Sequence, residues 1–202
     1  MRYDFLIDTY ATERLKVLTM WSVFRDDDLP WRPADPLKRG RSVLEQMVHQ
    51  CVSEDLWFKS MLGIDLGRKP LPEKETRGEF LIVYAASSGE RLERLRGQNE
   101  NWWEEPTQFF EVTRARAWVM TRRIAHTSHH RGQLSAYLRM LGREIYCTYG
   151  PTSDTGGLMV NRAPVVYPYD DVDALLEGEA HGGSKRSLPG MPKDKAVTER
   201  PG

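Results

Sequence analysis

The stretch that decides the fold is residues 112–141, VTRARAWVMTRRIAHTSHHRGQLSAYLRML. It contains one glycine and no proline, the two residues that most often interrupt a helix. Gly142 follows directly, and helices commonly close with a left-handed residue that only glycine adopts freely. The stretch therefore predicts the longest helix of the protein, ending at Gly142.

Three further helices are predicted upstream, where apolar residues recur at steps of three and four. The second of them has a clear start, because Ser42 and Glu45 form the pattern of a capping box. Segments rich in proline, glycine or polar residues separate the helices. The predicted helices cover residues 3–24, 42–63 and 80–97, and the connections cover 26–36, 64–75 and 99–106. Together they predict an all-α protein.

The chain after Gly142 has a different pattern, with β-branched and aromatic residues between Ser, Thr and Gly. Residues 158–177 predict an extended arm that packs on the helices or pairs with a second copy of the protein. Tyr167 and Tyr169 would then cover helix surface, or line a pocket if the arm crosses one. Residues 178–202 are mostly Gly, Ser, Pro and charged, a composition that predicts a polar, flexible tail.

The charge balance argues against two classes of partner. Twenty-nine basic and twenty-nine acidic residues leave no net charge, so the electrostatic attraction that nucleic-acid and anionic-membrane binders use is missing. No apolar run approaches the length of about 20 residues that a membrane span needs. We therefore expect a cytoplasmic protein that binds neither nucleic acid nor membrane.

The two cysteines, Cys51 and Cys147, are too few for a disulfide framework, and we expect free thiols. Cys51 lies two residues after His49, which raises the alternative of a metal ligand or a redox thiol. Neighbouring helical positions point in different directions, however, so a buried, inert thiol is the favoured interpretation.

Three of the five histidines lie close together on the predicted long helix. His126 and His130 are four residues apart, which places both rings on one helix face and within reach of a single ion. His129 diverges from His130 by about 100° around the helix and cannot easily share that ion. Zinc hydrolases with a similar spacing carry a glutamate after the first histidine, and Thr127 stands there instead.

A third ligand would have to come from another helix, and His49 borders the apolar stripe of the second helix. The alternative is a polar helix face at His126 and His130 and a hydrogen-bonded core histidine at His49. Three nearby polar residues are expected to form a hydrogen-bond and ion-pair network between helices, with orientation of the histidines as the alternative role: Glu54, Arg131 and Gln133.

Two motifs together resemble the DinB/YfiT-like family. The first is residues 42–49, SVLEQMVH, with Glu54 and Trp57 after it. The second is residues 126–134, HTSHHRGQL, and the upstream residues 29–33, LPWRP, also fit. The resemblance covers residues 1–157 and leaves the arm and the tail outside it.

The resemblance implies a four-helix bundle with a long crossover connection that holds one divalent metal ion on His49, His126 and His130. Three protein ligands leave positions open for water or substrate, which is typical of catalytic metal sites. Zinc and nickel both accept imidazole, so the ligands do not choose between them. The family also implies a homodimer and a small-molecule substrate, and its characterised members include enzymes that join low-molecular-weight thiols to electrophiles.

Three functions remain open at this point. The first is a metal-dependent S-transferase that joins such a thiol to an electrophilic small molecule. The second is a metal-dependent hydrolase, for which no carboxylate beside the ligands is an obvious base. The third is a non-catalytic stress-response module, in which Cys51 or Glu54 would close the fourth coordination position.

Overall fold

The computed structural model describes residues 2–34 and 39–191, and Thr198 beyond them. Within these residues the protein is mostly helical, which confirms the all-α prediction. The elements are α1 (Asp4–Val23), α2 (Val43–Ser60), α3 (Arg77–Arg96), α4 (Glu100–Glu104), β1 (Pro106–Phe109), β2 (Val112–Ala115), α5 (Arg116–Met140) and α6 (Val172–Ala180). Part of the predicted proline-rich connection, residues 35–38, lies outside the described residues.

The four long helices surround a common interior. Helix α1 packs along α3 and α5, and α2 packs on α5 and α3. The apolar side chains form two clusters inside, one around Trp21 and Phe80 and the other around Phe58 and Trp103, and these four rings are almost completely buried. Burial of such large rings contributes several kcal/mol each, about 25 cal/mol per Å² of apolar area, and fixes how the helices meet.

The start of α2 follows the predicted capping box. The Ser42 hydroxyl accepts a hydrogen bond from the Glu45 backbone N–H at 3.1 Å, and the Glu45 carboxylate accepts one from the Ser42 N–H at 2.7 Å. Two of the N–H groups that a helix start leaves unpaired are thereby satisfied. This cap fixes the beginning of the helix that carries His49.

The prediction of a single helix over residues 112–141 is wrong at its first four residues. β2 pairs with β1 in an antiparallel hairpin, in which Phe109 faces Val112, and α5 begins only at Arg116. Val112 and Thr113 are β-branched and favour a strand. The stretch without proline happens to extend through them, which is why the sequence pattern predicted a helix there. The segment before the hairpin, predicted as a turn, contains the short helix α4.

The C-terminal portion also differs from the prediction of an extended arm over residues 158–177. Asp171 caps a helix, α6, with its carboxylate accepting from the Ala174 N–H at 2.8 Å, and Leu175 is fully buried among the apolar side chains of the bundle. The cap at Asp171 and the burial of Leu175 thus favour a helix from Val172 onward.

Residues 178–191 pack on the protein, although their composition predicts a flexible tail. Lys185 pairs with Glu179 at 2.5 Å, and the Gly190 N–H donates to the Asp154 carbonyl at 2.9 Å. These polar contacts order a segment that has little apolar surface to bury. The flexible tail predicted for residues 192–202 lies outside the described residues, apart from Thr198.

Two smaller expectations can be compared with the described residues. Cys51 and Cys147 are both free and buried, as expected. None of the described helices combines the length with the apolar character that crossing a membrane requires.

Candidate metal centre

Three histidines from two helices meet between α2 and α5. His49 comes from α2, and His126 and His130 lie one turn apart on α5. Their ring centroids are 4.5 to 5.4 Å apart, and one nitrogen of each ring lies within 4.8 Å of the others. We call these three residues the histidine cluster.

His130 is held by two glutamine side chains. Its Nδ1 lies 2.9 Å from Oε1 of Gln46 and 3.0 Å from Oε1 of Gln133, and the Gln46 amide donates to Gln133 at 2.9 Å. Because both partners of Nδ1 are oxygens, we assign the proton of the neutral ring to Nδ1. The lone pair is therefore on Nε2, which faces the other histidines, as a metal ligand requires.

His126 is oriented by the cluster itself. Its Nε2 lies 3.2 Å from Nε2 of His130, while its Nδ1 is buried and has no hydrogen-bond partner among the described residues. The Trp57 ring lies beside it, with the two centroids 5.5 Å apart. A buried nitrogen without a partner costs free energy, so the orientation of the ring is not explained by its Nδ1. The orientation instead directs Nε2 towards the other histidines.

All three rings are neutral at neutral pH. Burial lowers the pKa of His126 to about 3, helped by the charge of Arg123, and lowers that of His130 to about 4, helped by His49. The pKa of His49 is also lowered, mainly by burial. Neutral imidazole is the form that binds a metal, so no proton has to leave before an ion enters.

The residues fit one divalent ion. Nitrogens bound to one zinc ion at about 2.1 Å stand roughly 3 to 4 Å apart, close to the spacing of this cluster. Imidazole nitrogen suits zinc and nickel, and the described cluster contains no carboxylate or thiolate. Three ligands leave at least one position of a tetrahedral ion open.

A cleft of about 770 Å³ opens directly beside the cluster. Its size is typical of a small-molecule site. Besides His49 and His126, the described residues that line it are Ser53, Leu56, Trp57, Phe109, Phe110, Arg122, Ala125 and His129. Phe109 and Phe110 belong to the β1–β2 hairpin, so the hairpin forms part of the cleft wall.

His49 also lines a second, smaller cavity of about 450 Å³. Its lining combines the apolar residues Leu44, Val48 and Val52 with the charged residues Arg41, Glu45 and Glu75. His49 therefore lines two cavities of different character.

Comparison with known proteins identifies the family. The family model of the DinB family matches residues 6–156, about three quarters of the chain. The chain belongs to the DinB family. The match confirms the resemblance noted in the two histidine motifs, and it contains all three residues of the histidine cluster.

Solved structures of DinB-like proteins share the fold. One from Bacillus cereus is 18% identical, with a TM-score of 0.63, and the match covers 71% of this chain and 95% of that protein. Another from Bacillus subtilis is 16% identical, with a TM-score of 0.56, and the match covers 71% of this chain and 96% of that protein. No curated protein matches the sequence. At these identities the likeness concerns the fold.

Of the three outer partners predicted for this DinB-family site, Gln133 contacts a histidine and the other two bond elsewhere. Glu54 is fully buried and accepts hydrogen bonds from Tyr10, Tyr84 and Arg91. Arg131 forms a buried ion pair with Glu13 and also donates to Ser128. Glu54 and Arg131 thus link helices, which agrees with the network interpretation favoured from sequence.

Sequence reasoning assigned no role to Gln46 or Arg123. Gln46 lies three residues before His49 and Arg123 three residues before His126, a spacing that places each on the face of its histidine. Arg123 is almost fully buried, donates to Ser53 at 3.1 Å and lies over the Trp57 ring. A polar residue one turn before a candidate ligand was the available signal in the sequence. Spacing alone, however, does not tell such a residue from an ordinary polar residue on the protein surface.

Cys51 and His129 stand outside the cluster. The Cys51 thiol is buried, and burial raises its pKa far above the usual range, so it is inert at neutral pH. The ring of His129 is exposed and 5.0 Å from that of His130, and it lines the cleft. Neither Tyr167 nor Tyr169 is among the described residues of the cleft, and Tyr169 packs in the apolar core instead.

Proposed function

We propose that the protein is a metal-dependent transferase that joins a small thiol to an electrophilic molecule in the cleft beside His49, His126 and His130. One observation carries the proposal: three neutral imidazoles converge beside a cleft, and one of them, His49, also lines a second cavity. A divalent metal, zinc or nickel, bound there would act as a Lewis acid that lowers the pKa of a thiol and holds it as a thiolate.

The residues around the cluster support such a role. Gln46 and Gln133 fix the ring of His130, so that its Nε2 keeps its direction. Trp57, Phe109 and Leu56 form apolar walls, which exclude water from the neighbourhood of the reacting atoms. Protection from water favours attack by sulfur over attack by hydroxide.

Two reactants need two places, and His49 borders both cavities. The larger cavity has aromatic walls and would take the electrophile, and the smaller one would take the body of the thiol. In the reaction the sulfur forms a bond to a carbon of the electrophile. The leaving group departs with its bonding electrons, and the proton of the thiol goes to solvent.

The two other functions have less support. A hydrolase would need a general base, and the described residues that line the larger cleft include no carboxylate. Glu45 and Glu75 line only the smaller cavity, where Glu45 already pairs with Arg32 and caps α2. A purely structural metal would need a fourth protein ligand, but Glu54 is occupied by Tyr10, Tyr84 and Arg91, and Cys51 is buried outside the cluster. An open position therefore fits the geometry better than a closed one.

Metal content of the purified protein is the direct test. We expect about one equivalent of zinc or nickel in the wild type and almost none in His49→Ala or His130→Ala, while His181→Ala, an exposed histidine outside the cluster, keeps the wild-type content. Consumption of 1-chloro-2,4-dinitrobenzene with a panel of small thiols should then depend on the metal. A wild-type protein that takes up neither zinc nor nickel would overturn the proposal, and so would a loaded protein that consumes no electrophile with any thiol tested.

A further inference from the structure

The larger cleft has an unusually aromatic wall for a surface cavity. Trp57 and Phe109 meet edge to face with centroids 5.2 Å apart, and Phe110 lies 4.8 Å from Phe109. Trp118, which is not among the lining residues, supports the wall from 5.0 Å away from Phe109. Aromatic side chains at these distances form a continuous apolar surface on which a flat ring can stack or pack edge to face.

Part of this wall is exposed to solvent. Phe110 is 65% exposed and Leu56 is 52% exposed, whereas Trp57 beneath them is 8% exposed. Phe110 also has a φ of +50°, a conformation that non-glycine residues rarely adopt. Exposed apolar side chains grouped around a cavity are typical of a surface that an apolar ligand covers.

The charge in the cleft has a single sign. Arg122 carries the one guanidinium or ammonium group among the described lining residues, and no ion pair joins it to another residue in the described part of the chain. It lies one turn before His126 on α5, and therefore faces the same side of the helix as the metal ligand. A cation without a partner beside an aromatic wall favours an anionic ligand with a flat apolar body.

From this combination we infer that the larger cleft binds a planar aromatic acid. The ring packs against Trp57, Phe109 and Phe110, and the carboxylate faces Arg122. As the identity of the electrophile this inference rests on the proposed function. As a statement about binding it can be tested without turnover and without metal.

Binding of two probes of equal shape tests the inference. 1-Naphthoate carries the charge, and 1-naphthamide is its neutral counterpart. Isothermal titration calorimetry would measure both dissociation constants, first on chelator-treated protein, where a carboxylate cannot bind the ion, and then on metal-loaded protein. The variants are Arg122→Gln, Phe110→Ala and the control Arg96→Gln, an exposed arginine on α3 outside the cleft.

In the wild type we expect 1-naphthoate to bind about fivefold more tightly than 1-naphthamide, the preference that one exposed cation confers on a carboxylate. Arg122→Gln should remove this preference and leave the binding of the amide unchanged. Phe110→Ala should weaken both probes by a similar factor, since the lost aromatic contact does not depend on charge. Arg96→Gln should behave as the wild type.

Equal affinities of the wild type for the two probes would overturn the inference, as would a preference that survives in Arg122→Gln or no binding of either probe. None of these results concerns the metal content, which tests the proposed function separately. A protein that binds 1-naphthoate as expected but takes up no metal would keep this inference and lose the proposed function.

Discussion

Two polar clusters lie inside the same helical bundle, and they differ in their balance of acidic and basic groups. The Glu54 cluster consists of Glu54, Tyr10, Tyr84 and Arg91: the carboxylate accepts from Tyr10 at 2.7 Å, from Tyr84 at 3.2 Å and from Arg91 at 3.4 Å. The histidine cluster contains three bases, no acid, and a buried His126 Nδ1 without a described partner.

This difference separates a structural network from a binding site. In the Glu54 cluster each donor comes from another helix, so the group ties α1, α2 and α3 together and has little capacity for a ligand. In the histidine cluster the ring nitrogens face each other with no acid among them, an arrangement that a bound cation would stabilise. A group of converging bases without an acid therefore indicates a cationic ligand.

The largest effect is expected from breaking the Glu54 cluster. Glu54→Gln keeps the shape of the side chain but removes the buried negative charge that Arg91 and Arg123 face. Asp55 still pairs with Arg91 at 2.7 Å, so we expect the lower end of the cost of breaking a buried ion pair, a loss of about 3 kcal/mol in the free energy of unfolding. Urea unfolding of metal-free protein would measure it. The exposed Glu104→Gln should change stability by less than about 0.5 kcal/mol. A Glu54→Gln protein as stable as this control would contradict the structural role of the cluster.

The histidine cluster should contribute to stability only through its ion. Zinc at a hundredfold excess over its dissociation constant should raise the free energy of unfolding of the wild type by about 2.7 kcal/mol. His130→Ala should lose this increment, whereas His129→Ala, the neighbouring residue outside the cluster, should retain it. The increment is the difference with and without zinc, so lost packing of the imidazole cancels. An equal increment in His130→Ala would show that zinc binds elsewhere.

Acid should destabilise the metal-free protein through the same histidines. Their pKa is about 3 for His126 and about 4 for His130 in the folded protein, against about 6.5 in the unfolded chain. Between these values the unfolded chain binds more protons, so stability is complete above about pH 6.5 and falls as the pH drops towards 4. Urea unfolding across this range would measure the slope, and His130→Ala should flatten it. A slope unchanged by the substitution would place the titrating groups elsewhere.

The fold was predictable where one pattern dominates. The capping box at Ser42 predicted where α2 begins, and Gly142 predicted closely where α5 ends. Both signals depend on local chemistry, which can be read from the sequence alone. The hairpin before α5 was missed, since Val112 and Thr113 fit both a helix and a strand until Phe109 and Gln108 are known to pair with them. Helix α6 was missed because its short apolar stripe becomes significant only when Leu175 has a core to enter.

The candidate site was predictable in its histidines and less so in their surroundings. His126 and His130 follow from helical spacing, but bringing His49 to them depends on how α2 packs on α5, which the family resemblance supplied. Glu54 and Gln133 are both polar and buried or half-buried near the ligands, yet only Gln133 bonds to a histidine. Which polar side chain faces which cluster is decided by tertiary packing and is not encoded in spacing.

Gln133 offers the finest test of the contrast between the two clusters. Its Oε1 accepts from the Nδ1–H of His130, but Gln46 accepts from the same proton, so one partner remains after substitution. Gln133→Ala should weaken zinc binding about tenfold, the lower end of the effect of such outer partners, without changing the stoichiometry. Competition with a chromophoric chelator would measure the dissociation constant, with Gln98→Ala, a half-buried glutamine outside the cluster, as control. An affinity equal to that of the control would mean that the ring of His130 needs no second acceptor, and that Gln46 alone orients the ligand.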